Sequence, residues 1–587
     1  MKILGTSFDY HDAAAAFVVD GKVIAAAQQE RFSRVKNDSR FPREAIEFCL
    51  AKAGVAAREI DHVVHYERPI LKFDRILRTA LRAPRKARRF LGETATDWFR
   101  AGKFEVRQRI ASGVGVSEDK ISFCDHHTAH AAAAFFCSPF DEAAIVTIDG
   151  VGEYETATIA IGSGNEIRKL SHVNYPHSIG LFYSAFTAFL GFEVNEGEYK
   201  VMGMAGFGQP TVAMEILDLF DLRADGTFAL KQDLFDFLMP ETYPFTKALT
   251  KWLGGPRAPE SKFDPFGPAS SPDTERSRHY ANIAASVQRA TEEVILHIVR
   301  SAMKQTGLQT VCLAGGVALN SVANGRIQRE LGARLYVHPA AGDAGSAIGA
   351  ALHKAHCVLD VSRRGALVSP YLGPDVTQSE IDAALANAYL EPEKVHATDE
   401  ELVEDVAERL ASGAVIGWFQ GRAEWGPRAL GGRSILADPR DADTQLKVNE
   451  KIKFREPFRP FAPSVLAQRA SEYFEIDAPS SEVAPDYFML SVAPVKAAAR
   501  AKIPAVTHVD GSARLHLVNQ VTNPIYYALI KAFGDRTGVP VLLNTSFNLR
   551  GEPIVNSPAD AIRTFQWSGM DALVLGRTVV LKQELSV

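Results

Sequence analysis

The chain has 587 residues, 46% of them hydrophobic and 23% charged, and its 65 basic and 70 acidic side chains leave a formal net charge of −5. These values are typical of globular proteins and exclude a collagen-like, fibrous or wholly disordered chain, while the length suggests about two to four domains. Proteins that hold nucleic acid over their whole surface are normally basic, so we expect any polyanion site to be local and no nucleic-acid partner.

The cysteines and the N-terminal residues indicate a cytoplasmic protein. The five cysteines are odd in number, widely spaced and never in a C-x-x-C pair, which argues against a disulfide framework and a thiolate zinc site. The opening residues MKILGTSFDYHD lack the apolar core of a signal peptide, and no stretch approaches the roughly 18 apolar residues that would span a bilayer. We therefore expect a cytoplasmic location and no membrane partner.

Two similar groups of strands predict the fold class. KILGTSF, AAAFVV and KVIAAAQ predict three strands ahead of a helical pattern, and AAIVTIDG, TATIAIGSG and IRKLSHV repeat that order. Paired β-β-β-α groups indicate a duplicated α/β domain of the actin-like, ribonuclease-H-like kind. We place this domain at residues 1–358, ending after an alanine-rich helix, and a second α/β domain at residues 359–587.

Two segments of the first domain have unusual composition. Residues 68–89, called here the basic segment, hold one acidic and nine basic residues: Arg68, Lys72, Arg75, Arg78, Arg82, Arg85, Lys86, Arg88 and Arg89. Apolar residues recur within it at helical spacing, so we favour a solvated amphipathic helix over an anion-facing or partner-docking surface. Residues 254–275 are rich in Pro, Gly and Ser, which predicts a loop or lid inside the domain.

The densest group of titratable residues in the first domain is CDHHTAH at residues 124–130. The alanines that follow predict a helix, with Asp125 as a plausible N-cap. On a helix, His126 and His130 project from one face and can share a metal. A histidine pair at this spacing is weak evidence for a metal when no carboxylate accompanies it.

Two acidic residues strengthen the metal hypothesis. Asp149 ends an apolar strand and Asp343 opens an apolar helix, although a strand-end turn or an N-cap would explain either one singly. Together with two imidazoles they suit Fe(II), Zn(II) or Mn(II) and are too rich in nitrogen for magnesium. The turn in LAGGVALN, at residues 313–320, lets the backbone approach a ligand closely and is a possible nucleotide loop.

The second domain concentrates cations in Gly/Pro turns beside apolar strands. They are Arg422, Arg428, Arg433, Arg440, Lys451, Lys453, Arg455, Arg459 and Arg514, with Asn544 and Ser546 at the end of the strand VLLNTS. Rigidly held guanidinium groups suit phosphate or carboxylate oxygens. We favour a concave site for a small polyanion such as ATP over nucleic acid, whose footprint should be an open stripe.

Ten motifs in fixed order give the chain a family resemblance. The motifs are His11-Asp12, ERFSRVK, DHHTAH, DGVGE, GGVALN, GDAG, GPRALGGRSI, REPFRPFAP, DGSAR and LLNTSFN. They resemble the NodU/CmcH family of O-carbamoyltransferases, and the resemblance extends from residue 3 to about residue 557. The resemblance implies an N-terminal domain like the actin-like tRNA threonylcarbamoyl transferases and a C-terminal domain like YrdC-type carbamoyl-adenylate-forming domains. Gly432 stands where many relatives carry Asn.

Carried over by motif, the resemblance assigns roles to single residues. The metal ligands would be His126, His130, Asp149 and Asp343, with Fe(II) preferred and Zn or Mn as alternatives. Contacts to ATP and carbamoyl phosphate would come from Arg428, Lys453, Arg459, Arg514, Asn544 and Ser546. His11 would be the catalytic base, and Lys36, Gly315, Gly316 and Asn320 would surround the adenylate in the first domain.

The family implies two steps. Carbamoyl phosphate and ATP, the latter with magnesium, would form carbamoyl-adenylate, whose carbamoyl group then passes to a hydroxyl of a small natural-product or sugar acceptor as His11 takes the proton. An actin-like small-molecule kinase is one alternative, but it leaves the arginine-rich domain unexplained. A tRNA threonylcarbamoyl transferase is another, against which the net charge of −5 counts. A non-enzymatic metal-binding scaffold would show no turnover.

Overall fold

A computed structural model describes residues 1–82, 98, 102–237, 243–268, 270–477 and 483–582. The chain folds as two compact units. The first unit consists of Met1–Tyr10, Ala14–Ile24 and Phe41–Ala366, and the second of His11–Ala13, Ala25–Arg40 and Leu367–Val587. Two N-terminal stretches are thus compact with the C-terminal half of the chain, which linear sequence patterns did not predict. The functional boundary near residue 358 stays a prediction.

The first unit contains two five-stranded sheets of the same topology. The strands of the first sheet are β1 (Lys2–Ser7), β2 (Ala14–Val19), β3 (Lys22–Gln28), β4 (His62–His65) and β5 (Ile121–Phe123), in the order β3-β2-β1-β4-β5. Those of the second are β6 (Glu142–Ile148), β7 (Glu155–Ser163), β8 (Glu166–Asn174), β11 (Thr310–Ala314) and β12 (Arg334–Val337), in the order β12-β11-β6-β7-β8; β9 (Phe220–Leu222) and β10 (Phe228–Leu230) form a separate hairpin.

Each sheet begins with antiparallel strands and continues with parallel ones. β1 pairs antiparallel with β2 and parallel with β4, and β6 pairs antiparallel with β7 and parallel with β11. In both sheets the first strand is therefore central, flanked by the second on one side and the fourth on the other. This repeated order is the duplicated ribonuclease-H-like topology of actin-like domains, so the predicted fold class is confirmed for this unit.

Helices cover the sheets of the first unit. Before the second sheet come α2 (Arg43–Ala53), α3 (Pro69–Arg82), α4 (Val106–Val114) and α5 (His126–Cys137), and α1 (Glu30–Ser33) lies in a stretch of the second unit. The later helices are α6 (Ile179–Phe189), α7 (Glu198–Ala205), α8 (Ala213–Leu217), α9 (Lys247–Leu253), α10 (Pro272–Thr306), α11 (Ser321–Leu331) and α12 (Asp343–His353). Among the described residues, no helix combines the length and apolar character needed to span a bilayer.

Small side chains bring α5 and α12 close together. Both helices are alanine-rich and buried over most of their length. At Gly349 a Cβ would lie 1.8 Å from the carbonyl oxygen of Ala129, so only a glycine allows this approach. The side chains near the N-termini of the two helices also meet, since His126 and His130 of α5 lie 3.7 and 3.5 Å from Asp343 of α12.

Two predicted segments differ in part from the structure. The basic segment is helical from residue 69 to 82, whereas Arg85, Lys86, Arg88 and Arg89 lie outside the described residues. The Pro-rich stretch has no helix or strand in its described residues up to Ser271, but α10 already begins at Pro272, inside the predicted loop. Proline is well suited to the first turn of a helix, since it lacks the N–H that would stay unpaired there.

The second unit is built on a mixed eight-stranded sheet. Its order is β13-β22-β21-β14-β15-β20-β16-β19, and β17 and β18 form a separate pair. The strands are β13 (Lys394–Val395), β14 (Ile416–Phe419), β15 (Arg433–Ala437), β16 (Ala462–Leu466), β17 (Val492–Pro494), β18 (Ser512–Arg514), β19 (His516–Val518), β20 (Val541–Ser546), β21 (Ala572–Leu575) and β22 (Thr578–Leu581).

Both faces of this sheet are covered, because successive residues of its strands enter different cores. Phe419 of β14 packs with residues of α13 (Gln378–Asn387) and α18 (Pro558–Gln566), whereas Trp418 packs with residues of α14 (Asp399–Ala411) and α17 (Pro524–Thr537). Two short helices, α15 (Asp443–Lys447) and α16 (Ala497–Arg500), complete the unit. The predicted α/β class is thus confirmed here too.

Candidate functional site

The structure brings the four predicted metal ligands of the first unit together as one group, called here the His/Asp cluster. Their ligand atoms all lie within 4.8 Å of one another. The Nε2 atoms of His126 and His130 are 3.2 Å apart, and each is 3.0 Å from Oδ2 of Asp149. Oδ1 of Asp343 lies 3.7 Å from the first imidazole and 3.5 Å from the second.

The chemistry of the His/Asp cluster fits a transition-metal cation. Burial alone would lower the pKa of His130, but hydrogen bonds to Asp149 and Asp343 raise it to about 9. Likewise burial would raise the pKa of Asp149, whereas the two imidazoles hold it well below its usual range. The cluster therefore attracts positive charge, and two nitrogen and two oxygen donors suit Fe(II), Zn(II) or Mn(II).

The glycine turn after β11 positions Asp149. Its Oδ1 accepts hydrogen bonds from the backbone N–H groups of Gly150, at 2.8 Å, and Gly316, at 3.2 Å, which leaves Oδ2 facing the imidazoles. Gly315 has a φ of +94°, and a Cβ there would lie 2.2 Å from the carbonyl oxygen of Ile148. The turn predicted to approach a nucleotide thus also supports a candidate metal ligand.

We expect Gly315→Ala to destabilise the protein by at least about 2 kcal/mol, because an alanine would be strained in this conformation and would clash with the β6 backbone. Denaturant unfolding measures the change. Gly332→Ala is the matched control, since Gly332 also has a positive φ, of +61°, but a Cβ at this position would meet no described atom within 4 Å. Equal losses of stability in the two variants would contradict the importance of the Ile148 contact.

The other ring nitrogen of His130 and both ring nitrogens of His127 have partners outside the His/Asp cluster. Nδ1 of His130 lies 3.1 Å from Oγ of Ser346, a contact that fixes the ring orientation. His127 turns away from the His/Asp cluster, as its helical position predicts, and contacts Oγ1 of Thr147 at 2.6 Å and the carbonyl oxygen of Glu155 at 2.9 Å. His127 is therefore a structural residue of the core.

The predicted N-cap position of Asp125 is confirmed, but a capping hydrogen bond to its side chain is not. Although this residue occupies the N-cap position of α5, its side chain makes no capping hydrogen bond and instead pairs with Nε of Arg68 at 2.8 Å. The carboxylate of Glu153, which is buried, accepts the N–H of His126 at 3.1 Å instead. A loop distant in sequence supplies this acceptor, so only its proximity to Asp149 in the motif DGVGE could have drawn attention to it.

The residues predicted to surround the adenylate are spread over both units. Asn320 caps α11 by accepting the N–H of Ala323 at 3.2 Å, and its amide exchanges hydrogen bonds of 3.0 and 3.2 Å with Gln288, a residue that no sequence motif singles out. Lys36 belongs to the second unit, not to the first as predicted from the linear domain division. The adenylate contacts of Lys36, Gly315, Gly316 and Asn320 stay a prediction.

His11 also belongs to the second unit. Its Nδ1 lies 3.0 Å from Oδ2 of Asp12, and its side chain is 27% exposed. A carboxylate at one ring nitrogen orients an imidazole and favours a defined tautomer. This arrangement is compatible with proton transfer, and the catalytic assignment stays a prediction.

A cation cluster lies in the second unit and consists of Arg428, Lys453, Arg455, Arg459 and Arg514. Burial, followed by the positive charges of Arg428, Arg455 and Arg459, holds the pKa of Arg514 well below its usual range. Burial and the charges of Arg455 and Arg459 likewise lower the pKa of Lys453. Glu552 partly counteracts the lowering at Lys453, and Arg459 pairs with Glu456 at 3.7 Å. The excess of cations over these acidic groups makes the cluster suited to an anion.

Lys453 joins this cluster to the end of β20. Its Nζ is buried and donates to the carbonyl oxygens of Ser546, at 2.8 Å, and Asn548, at 2.7 Å. Nδ2 of Asn544 donates to the carbonyl oxygen of Ala429, at 3.1 Å, and so supports the turn that carries Arg428. In the described contacts Asn544 and Ser546 therefore hold the cationic residues in place, and their predicted contacts to ligand stay predictions.

Most arginines of GRAEWGPRALGGRSILADPR instead support the backbone. The buried Arg433 donates to the carbonyl oxygens of Gln420 and Gly421 at 2.8 and 3.0 Å. Arg422 donates to that of Gly373 at 3.0 Å, and Arg440 pairs with Asp438 at 2.6 Å. Arginine density alone therefore overstates the number of ligand-facing cations.

The segment around the cation cluster has two supports that the sequence did not reveal. Oε1 of Glu424 accepts backbone N–H groups of Leu430 at 2.8 Å, Gly432 at 2.7 Å and Arg433 at 2.9 Å. Arg31, from the N-terminal part of the unit, donates to the carbonyl oxygen of Gly426 at 2.8 Å. Neither contact follows from spacing, because both depend on how the turn folds.

Comparison with known proteins covers nearly the whole chain. The family model of the carbamoyltransferase N-terminus matches residues 2–352, and that of the carbamoyltransferase C-terminus matches residues 407–582. An uncharacterized protein of Synechocystis is 44% identical over 99% of this chain and 96% of its own. Nodulation protein NolNO of Sinorhizobium fredii is 37% identical over 98% of this chain and 80% of its own.

A third relative, nodulation protein NolO of Bradyrhizobium diazoefficiens, is 39% identical over 79% of this chain and 80% of its own. The two matched family models account for both halves of the sequence, and the resemblance drawn from the motifs is thereby confirmed. The chain belongs to the carbamoyltransferase family and is an enzyme of carbamoyl transfer.

Proposed function

We propose that the protein is an ATP-dependent O-carbamoyltransferase. It forms carbamoyl-adenylate from carbamoyl phosphate and ATP and transfers the carbamoyl group to a hydroxyl of a small-molecule acceptor. The observation that carries the proposal is the presence, in one carbamoyltransferase chain, of both a mostly buried His/Asp cluster and a partly buried cation cluster. Each cluster has the chemistry that one of the two steps requires.

The first step takes place at the cation cluster. Water first cleaves carbamoyl phosphate into carbamate and phosphate. An oxygen of the carbamate then attacks the α-phosphorus of ATP, and the bond to the β,γ-diphosphate breaks, which gives carbamoyl-adenylate and pyrophosphate. Arg428, Arg459 and Arg514 bind the phosphate oxygens and neutralise the charge that develops on the leaving pyrophosphate. Magnesium accompanies ATP. The lowered pKa values of Lys453 and Arg514 support this role, because a bound polyanion would favour the charged forms of both side chains.

The second step uses the His/Asp cluster. When bound by His126, His130, Asp149 and Asp343, a cation such as Fe(II) supplies Lewis acidity toward the carbamoyl carbonyl. Gly315, Gly316 and Asn320 are the proposed contacts of the adenylate in the first unit. His11 accepts the proton of the acceptor hydroxyl as its oxygen forms the new C–O bond and AMP leaves.

The test is pyrophosphate release by the purified, metal-supplemented protein with ATP and magnesium. Release that requires carbamoyl phosphate supports the proposal. An actin-like kinase would instead transfer the γ-phosphoryl group and release no pyrophosphate. Absence of pyrophosphate from a folded sample, or release independent of carbamoyl phosphate, would overturn the proposed first step.

A further inference from the structure

The inner face of α3 is attached to the loop that follows Asp149. Nη1 of Arg75 donates to the carbonyl oxygen of Gly152 at 2.6 Å, and its guanidinium lies 5.6 Å from the ring centroid of Tyr175. One residue away, Asp74 accepts a hydrogen bond from the hydroxyl of Tyr154. The basic segment is therefore not only a solvated face, because part of it contacts the loop that leads out of the His/Asp cluster.

Gly152 in turn packs against a metal-ligand candidate. A Cβ at Gly152 would lie 2.9, 3.0 and 3.1 Å from Cβ, Cδ2 and Cγ of His126, so the backbone at this position touches the imidazole. The next residue, Glu153, accepts the N–H of His126 at 3.1 Å and that of Arg68 at 2.8 Å. The position of this loop thus limits how far the His126 ring can rotate.

The rotation of that ring matters for the cluster. Its Nε2 must stay close to Oδ2 of Asp149, at 3.0 Å, and to Nε2 of His130, at 3.2 Å, for the donors to converge. A ligand ring that rotates freely loses this convergence, and contacts behind metal ligands commonly contribute a large part of metal affinity. By its hydrogen bond to the carbonyl oxygen of Gly152, Arg75 of α3 holds the backbone that packs against the His126 ring.

Arg75 is suited to such a support and its neighbour Arg78 is not. Burial lowers the pKa of Arg75, and nearby Tyr175 and Glu67 counteract that effect. The guanidinium of Arg75 donates to a backbone carbonyl oxygen. A guanidinium is suited to such a support because it stays charged and holds its donors in a rigid plane. Arg78, one turn along the same helix, has a 68% exposed side chain and pairs with Asp74 at 2.8 Å.

We infer that Arg75 is a positioning residue for the metal site: by holding Gly152 against the His126 imidazole, it keeps that ring in the orientation that faces Asp149 and His130. The inference rests on the metal site of the proposed function and adds a residue outside the ligand set. It also gives a role to a helix that its sequence alone marks only as basic and amphipathic.

The test compares Arg75→Gln with Arg78→Gln in the full chain, using Co(II) as the probe. Co(II) is titrated into metal-free protein, and its visible absorption reports both affinity and coordination geometry. We expect Arg75→Gln to weaken Co(II) binding by about 10–100-fold and to change the absorption band. Arg78→Gln is expected to match the wild type in both readouts, because its guanidinium is exposed and bonds Asp74 rather than the carbonyl oxygen of Gly152.

Two further measurements distinguish failure of the Arg75 inference from failure of the proposed metal site and from misfolding of the variant. Carbamoyl-phosphate-dependent pyrophosphate release reports on the cation cluster and is expected to be unchanged in Arg75→Gln. Arg75→Lys, which keeps the charge and one donor, is expected to bind Co(II) with intermediate affinity and decides the test if the glutamine variant fails to fold. Co(II) affinity and spectra equal to the wild type in both Arg75 variants would overturn the inference alone. Absence of Co(II) binding in the wild type would overturn the metal site and the inference with it.

Discussion

Replacing Arg514 with alanine is expected to reduce carbamoyl-phosphate-dependent pyrophosphate release by about 100-fold or more, the usual effect of removing a donor that stabilises developing negative charge. Arg514 is the member of the cation cluster whose pKa is lowered by burial and by three neighbouring arginines, so it lies where their positive charges combine. The measurement is the initial rate of pyrophosphate formation at saturating ATP.

The matched control for this change is Arg469→Ala in the same unit. Arg469 is 45% exposed and pairs with Glu472 on the surface, so its loss should leave the rate within about twofold of the wild type, since exposed ion pairs contribute little. If Arg514→Ala retains the wild-type rate while its thermal unfolding is unchanged, the cation cluster is not the site of adenylate formation.

Replacing His130 with alanine is expected to spare pyrophosphate formation and to impair metal binding and carbamoyl transfer. The His/Asp cluster would lose a buried ligand, and Asp149 and Asp343 would keep only His126 as an imidazole partner. We expect metal bound per chain to fall to background and carbamoyl transfer to drop by about 1000-fold, since the remaining three donors hold a cation weakly. Pyrophosphate formation should remain close to the wild-type rate.

Metal content after dialysis and carbamoylated product are the two readouts for His130→Ala. His172→Ala, which removes an exposed imidazole from β8, is the control and should change neither. Full metal content in His130→Ala would contradict the assignment of His130 as a ligand. Loss of pyrophosphate formation in a folded His130→Ala protein would contradict the separation of the two steps.

The His/Asp cluster could be predicted because its parts have local signals. His126 and His130 stand one helical turn apart in an alanine-rich stretch, and Asp149 and Asp343 stand where an apolar strand ends and an apolar helix begins. The duplicated order of strands was likewise predictable from two similar patterns, since hydrophobic periodicity and short turns are local properties.

The supports of the site could not be predicted, because they depend on contacts between distant residues. Glu153 replaces the expected cap Asp125 at the start of α5, and Arg75 reaches Gly152 across 77 positions of sequence. Such contacts depend on how the loops pack in the folded protein, and no regular spacing of residues in the sequence indicates them. The number of arginines in GRAEWGPRALGGRSILADPR did not predict how many face a ligand, for the same reason. The buried Arg433, for example, donates its hydrogen bonds to backbone carbonyl oxygens.

The division of the chain also has a long-range cause. Residues 25–40 join the second unit partly because Arg34 donates to the carbonyl oxygens of Ile554 and Pro553, at 2.6 and 2.9 Å, and lies 3.3 Å from Asp560. The first of these partners is 520 positions away in sequence. A contact between residues this far apart leaves no local signal in the sequence, so composition could not indicate it.

Mass-spectrometric detection of carbamoyl-adenylate tests the two-step account most directly. Wild-type, Arg514→Ala and His130→Ala proteins are incubated with ATP, magnesium and carbamoyl phosphate in the absence of acceptor, and the quenched mixtures are analysed. The account predicts carbamoyl-adenylate in the wild-type and His130→Ala reactions and none above background with Arg514→Ala. Carbamoyl-adenylate at equal levels with Arg514→Ala, or its absence from the wild-type reaction while ATP is consumed, would contradict it.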